Sequence, residues 1–177
     1  MSKLIVFCGH PGTGKTTLSK ELSKKLKITC LHKDSFKEPI YENMGCKSLE
    51  DSIKAGYCSI KTLLNVAEDQ VKSGIDIIIE SPFNHIESVE TFKKWIKKYK
   101  IDFYCVICSL DEDIRMSRWK NRLKIRHRSH HDNERLQKFS RGINNSFDFE
   151  EMPEKKIRIT SEIPVPKLIK KILKEIT

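Results

Sequence analysis

The chain of 177 residues is long enough for one domain with a full hydrophobic core, and its net charge of +10 favours anionic partners. No apolar run approaches the length of a membrane span, and Met1-Ser2-Lys3 passes straight into a strand pattern. A membrane anchor and a signal peptide are therefore not expected, and the expected location is the cytoplasm. The six cysteines, at 8, 30, 46, 58, 105 and 108, read as reduced thiols. Cys105-Val106-Ile107-Cys108 has metal-like spacing, but three steps along a strand point the two thiols to opposite faces.

Leu4-Ile5-Val6-Phe7-Cys8 is the first apolar run and suits a buried parallel strand. It leads into Gly9-His10-Pro11-Gly12-Thr13-Gly14-Lys15-Thr16, which fits the phosphate-loop pattern G-x-x-x-x-G-K-[ST]. Leu18, Leu22 and Leu26 then recur at helical spacing, so strand, glycine loop and helix follow in the order the motif needs. The expected nucleotide contacts are Gly9, Pro11, Gly12, Thr13, Gly14, Lys15, Thr16 and Thr17. Backbone N–H groups wrap the phosphates and the helix N-terminus adds a favourable dipole. Lys15 reaches the outer phosphates, and the Thr16 hydroxyl is a ligand for Mg²⁺.

Ile28-Thr29-Cys30-Leu31 is a second strand and delivers His32-Lys33-Asp34 at its end, where ligands of open α/β sheets gather. Asp34 is thus placed for chemistry, or else caps a helix beginning near Ser35. Residues 35–47, with Pro39 and Gly45, read as loop or broken helix. Ser48-Leu49-Glu50-Asp51 resembles a capping box opening a long helix to Val71, with an interruption expected near Gly56. Residues 35–60 are a candidate substrate-covering flap.

Ile75-Asp76-Ile77-Ile78-Ile79-Glu80 is a buried strand ending in a carboxylate, the Walker-B pattern, so Glu80 either holds a Mg²⁺-bound water or caps the next turn. Val89, Phe92, Trp95, Ile96 and Tyr99 form a core-facing helical stripe, and residues 101–110 are another strand. Residues 113–141 hold ten Lys/Arg against three Asp/Glu, a local excess of +7 (10 − 3). Arg118 and Arg122 share a helical face and can clamp a polyphosphate. His130-His131 reads as exposed loop rather than metal site, and Asp132 as the N-cap of a following helix. Lys156 to Thr160 is a last strand, before a helix opened by Pro164 and Pro166.

The order strand-helix-strand-helix repeats throughout, which builds a parallel sheet covered on both faces. With the phosphate loop, it predicts a P-loop NTPase three-layer α/β/α sandwich around a mostly parallel five-stranded sheet.

The motifs at 9–17, Asp34, Glu80-Ser81-Pro82 and Arg118/Arg122 resemble those of small P-loop kinases of the zeta-toxin, chloramphenicol-phosphotransferase and polynucleotide 5′-hydroxyl kinase type, within the AAA-like P-loop kinases. The resemblance implies one kinase-like domain over 1–177, with a short helical lid at 113–141. It implies Lys15, Asp34, Arg118 and Arg122 as catalytic residues, Asp34 as general base and the arginines on the lid. Thr160-Ser161 would border the adenine, with Arg118 and Thr160 as further ATP contacts. Glu80 stands where such kinases more often carry Asp, and no Asn-Lys-x-Asp run for guanine is present. The implied reaction is transfer of the γ-phosphate of ATP, with Mg²⁺ held by Thr16 and Glu80, to a hydroxyl of a small molecule. Two alternatives remain at this point: a polynucleotide 5′-hydroxyl kinase, in which Lys124, Arg126, Arg128 and Lys138 track the backbone, and a non-kinase ATPase switch.

Overall fold

The apolar run ahead of the glycine loop becomes the central strand of the sheet. In a computed structural model, which describes residues 1–140, 147–153 and 155–176, β1 (Lys3–Cys8) lies between β3 (Ile77–Glu80) and β4 (Asp102–Ser109). β2 (Thr29–His32) and β5 (Lys156–Thr160) flank these, giving a five-stranded sheet of order β2-β3-β1-β4-β5. Every pairing is parallel. Leu4 through Cys8 are fully buried, as a strand covered on both faces requires.

Side-chain alternation along β1 divides the core into two layers. Leu4, Val6 and Cys8 pack under α3 (Leu49–Lys72) and α4 (Ile86–Tyr99), through Leu63, Ala67, Phe92 and Trp95. Ile5 and Phe7 pack on the other face, under α1 (Lys15–Leu26) and α7 (Val165–Ile176), through Leu18, Leu22 and Ile172. Each such fully buried side chain contributes about 1.5–3 kcal/mol. The same alternation sends Cys105 to the first layer and Cys108 to the second, as expected for a strand. All six cysteines are free thiols. No helix among the described residues is long and apolar enough to cross a membrane.

The segment after β2 differs in part from the sequence expectation. Of the two readings of residues 35–47, loop or broken helix, the helical one holds as far as Asn43: α2 (Lys33–Asn43) follows β2 directly and carries Pro39 in its interior, and residues 44–47 are turn and loop. The hydrogen bond that Pro39 cannot donate belongs to Ser35, an exposed residue whose carbonyl is open to water. Ser48 and Asp51 form the expected capping box. From there α3 runs 24 residues without the interruption predicted at Gly56. Gly56 faces α2, where an added Cβ would lie 3.8 Å from the Lys37 side chain. The glycine lies where α3 passes α2, and the helix continues through it.

Lys37 is 2% exposed, and its ammonium donates to Ser52 Oγ at 2.8 Å. Burial, together with Lys33 and Arg135, pushes its pKa down to about 7. A lysine with a depressed folded-state value destabilises the fold fully below that value, and the penalty fades as pH rises toward the unfolded one. Lys37→Met should therefore raise stability at pH 6 by on the order of 1–3 kcal/mol. The gain in urea denaturation should shrink by pH 9, and an equal gain at both values would contradict this account.

The remaining elements are α5 (Glu112–Arg122), α6 (Asp132–Ser140) and two short 3₁₀ turns, Arg128–His130 and Phe149–Glu151. Residue 141, the end of the predicted basic segment, lies outside the described residues, as does the side chain of Lys138.

Candidate active site

Parallel strands bring their carboxyl ends to one edge, and the register aligns Phe7 and His32 with Glu80. The glycine loop, Glu80-Ser81-Pro82 and Lys33-Asp34 therefore meet around one cavity of about 160 Å³. It lies beside the switch point, where β1 is flanked by β3 and β4.

The loop is held from both sides. Gly9 has φ +129°, and a Cβ there would stand 2.3 Å from the Cys108 carbonyl oxygen, so the chain turns where only glycine fits. Gly9 N donates to Pro82 O at 3.3 Å, and Thr13 Oγ1 to His10 O at 2.8 Å. Gly14 (φ 80°) caps α1, and no side chain caps that end. The first amides of α1 are thus available to an anion. Ser161 Oγ donates to Thr13 O at 2.6 Å, which fixes the segment just after β5 against the phosphate loop.

Lys15 is buried and its Nζ donates to His10 O at 2.9 Å. Burial pushes its ammonium below the ordinary lysine value, and Glu80 opposes this. Glu80 is buried as well: its Oε2 accepts from Thr16 Oγ1 at 3.0 Å and lies 3.2 Å from His32 Nδ1. Burial lowers the His32 pKa, but hydrogen bonds with Cys30 and Glu80 outweigh it and carry the imidazole to about 9. His32 is then a cation at neutral pH. Burial likewise raises the Glu80 carboxyl, but the His32 hydrogen bond and Lys15 hold it below its ordinary value. Thr16 and Glu80, with Asp34 on the same cavity, form an all-oxygen donor set that suits a hard divalent cation such as Mg²⁺.

Asp34 sits in the first turn of α2. The N-cap is His32 and makes no side-chain cap hydrogen bond. The Asp34 carboxylate faces the cavity, 2.9 Å from Arg126 NH2 and 3.6 Å from Lys33 Nζ. Burial would raise its pKa, but Lys33, His130 and Arg126 outweigh that and hold it at about 2.

The basic segment divides into roles the sequence did not separate. Arg122 lines the cavity, and its buried Nε has no hydrogen-bond partner among the described residues. Burial, then repulsion from Arg126, works against its charge. Arg118 is exposed and donates to Ser161 O at 3.2 Å, on the side of the loop away from Asp34. Arg126 and Arg135 line the cavity with Arg122, and sequence reasoning did not place them there. The signal for Arg126 was available, since it stands four residues after Arg122 and its N–H donates to the Arg122 carbonyl at 3.0 Å.

His130 is not the exposed loop residue that the polar stretch implied. It is 4% exposed, with Nδ1 3.2 Å from Arg126 NH2 and Nε2 3.0 Å from Glu38 Oε1. A guanidinium only donates, so Nδ1 must accept and the proton resides on Nε2. Asp132 does not cap its helix from outside; it is the first residue of α6, and its carboxylate lies 3.2 Å from Arg126 Nε. Among the described residues no group of three His, Cys, Asp or Glu has the arrangement of a metal cluster.

Residues 4–144 match the family model of the AAA domain, and the chain belongs to that family. Solved structures share the fold along nearly the whole length. A candidate kinase from Chloroflexus aurantiacus j-10-fl is 26% identical, with 99% of each chain covered and a TM-score of 0.79. The Mycobacterium tuberculosis APS kinase, in complex with AMPPNP and APS, is 16% identical over 98% of this chain and 96% of its own, with a TM-score of 0.62. The Acinetobacter baumannii shikimate kinase, in complex with shikimate, is 19% identical over 98% and 92%, with a TM-score of 0.56. No curated protein matches the sequence. The fold is that of the P-loop kinases.

Proposed function

We propose that the protein transfers the γ-phosphate of ATP to a hydroxyl of a small molecule, in the manner of the small P-loop kinases it resembles. One observation carries this: Asp34 faces the phosphate loop across a single cavity with Arg122, a cation that has no ion pair among the described residues. A hydroxyl acceptor needs such a carboxylate. A hydrolytic switch needs a residue to orient water.

In the proposed reaction the acceptor oxygen attacks the γ-phosphorus, the bond to the β–γ bridging oxygen breaks, and ADP leaves. The acceptor proton passes to Asp34. At a pKa of about 2 Asp34 is ionised at any physiological pH but weakly basic. The proton therefore moves late, once the forming ester has acidified it. Lys15 and the loop amides hold the phosphates in line, and Arg122 stabilises charge developing on the transferring group. When bound, Mg²⁺ at Thr16 and Glu80 neutralises phosphate charge. His32 keeps Glu80 ionised and oriented toward Thr16. Residues 113–141 act as the lid, which carries Arg122, Arg126 and Arg135 to the cavity. Arg118, through Ser161, belongs to the nucleotide-binding edge with Thr160.

The small-molecule acceptor is favoured over a polynucleotide because Arg126 turns inward to Asp34, while His127 and Arg128 pair with Glu42 of α2. Of the residues expected to track a backbone, Arg126 and Arg128 are thus engaged within the protein, while Lys124 stays exposed. Transfer from γ-labelled ATP, screened over alcohols, sugars, hydroxy acids, nucleosides and 5′-hydroxyl oligonucleotides, tests the reading. Within it, Arg122→Ala should lower turnover by on the order of 10²–10³ with little change in ATP affinity. Arg118→Ala should act mainly on ATP affinity. The reverse pattern in steady-state kinetics would reassign the two arginines.

A further inference from the structure

The wall of the cavity opposite the phosphate loop is built by α2, residues 126–130 and α6, and its charges do not balance. Lys33 and Arg126 both lie on Asp34, at 3.6 and 2.9 Å. Arg135, from α6, is anchored by Nε to His130 O at 2.8 Å and by NH2 to Ser52 Oγ at 3.4 Å. It lines the cavity and makes no ion pair among the described residues. Behind it the buried Lys37 donates to the same Ser52 hydroxyl, which passes its own proton to Ser129 O at 2.5 Å. No carboxylate among the described residues is in ion-pair contact with Lys37. Three cations, Lys33, Arg126 and Arg135, thus line this wall with Asp34 and Asp132, and the half-exposed Glu38 is engaged by His130 at 3.0 Å. Lys15 and Arg122 stand apart, on the phosphate-loop side, and suffice for the nucleotide. A cation fixed by two hydrogen bonds, half-buried and with no carboxylate in ion-pair contact among the described residues, is a built oxyanion site.

We propose that the acceptor carries an oxyanion group, a carboxylate or a phosphate, in addition to its hydroxyl, and that Arg135 with Lys33 holds this group while the hydroxyl meets Asp34. The inference rests on the phosphotransferase reading and narrows its substrate class to small hydroxy acids or sugar phosphates. Ser52 and His130 set the guanidinium plane of Arg135. Lys33 extends from the same turn as Asp34, so oxyanion and hydroxyl are bound a short distance apart.

The test uses the full chain saturated with AMPPNP and Mg²⁺, so that the phosphate loop cannot bind the probe. Calorimetric titration with glycerate, glycerol 3-phosphate and glycerol should show binding of at least one anionic probe and none of glycerol. The anion that binds identifies carboxylate or phosphate as the recognised group. Arg135→Gln should weaken that binding at least about tenfold and leave AMPPNP affinity unchanged, while Arg135→Lys, keeping the charge, should recover part of it. Absence of binding by both anions, or equal binding in Arg135→Gln, would overturn the inference with the kinase reading intact. Tight binding of a 5′-hydroxyl oligonucleotide in place of the small anions would also overturn it. Failure of AMPPNP itself to bind would overturn the nucleotide reading and this inference together.

Discussion

Lys15→Ala is expected to abolish phosphoryl transfer and to weaken ATP binding by on the order of 10–100-fold, the loss of one charge-assisted contact to phosphate. Lys15 is 7% exposed and its Nζ donates to the loop carbonyl of His10, so its charge is held against the phosphate loop itself. Arg122 lines the same cavity from the end of α5. The fold should survive the substitution, because Glu80 keeps Thr16 and His32 as partners. A calorimetric titration with ATP and a far-UV spectrum check both parts. Unchanged ATP affinity in a folded variant would remove Lys15 from the site.

The second large effect is expected at Asp34. Asp34→Asn keeps the shape of the side chain and removes the proton acceptor, so turnover should fall by on the order of 10²–10⁴ with ATP binding retained. The substitution also releases Arg126, whose NH2 lies 2.9 Å from the carboxylate. Arg126 stays near Asp132 through its Nε at 3.2 Å, so the 126–135 wall should hold its place. Because Asp34 is held at about 2, it stays ionised across the range in which the protein is folded. An acid limb near pH 5–6 in the wild-type rate would therefore have to come from another group. Retention of full turnover in Asp34→Asn would return this aspartate to a merely structural place in the first turn of α2.

The fold was legible from the sequence because its signals are local. Five short apolar runs, a glycine loop between strand and helix, and helical stripes such as Val89, Phe92 and Trp95 each declare their element without help from distant residues. The α2 helix was only partly legible, since Pro39 and a polar stretch read as loop or broken helix. It is held in place by contacts with elements far along the chain, such as the buried Tyr41, whose hydroxyl lies 2.8 Å from His131 Nε2. Gly56 misled for the same reason: its meaning depends on which side chain approaches it from α2. At the site, the strand ends were readable because a strand delivers its last residue to a known edge. The roles of Arg118, Arg122, Arg126 and Arg135 were not. Spacing places arginines on a face, but only the docking of residues 126–135 onto α2, through Glu38 and Glu42, decides which of them enter the cavity. His32 was hidden too, as its partner Glu80 is 48 residues away and meets it only through the sheet register.

The central claim is that the γ-phosphate goes to an organic hydroxyl rather than to water. The measurement that tests it most directly is the partition of label from γ-labelled ATP between an organic phosphate ester and inorganic phosphate, followed in the presence of each acceptor class. The account predicts label accumulating in an ester with one acceptor class, at a rate well above that of inorganic phosphate release. Label appearing as inorganic phosphate alone, at a rate indifferent to every acceptor and to Asp34→Asn, would contradict it.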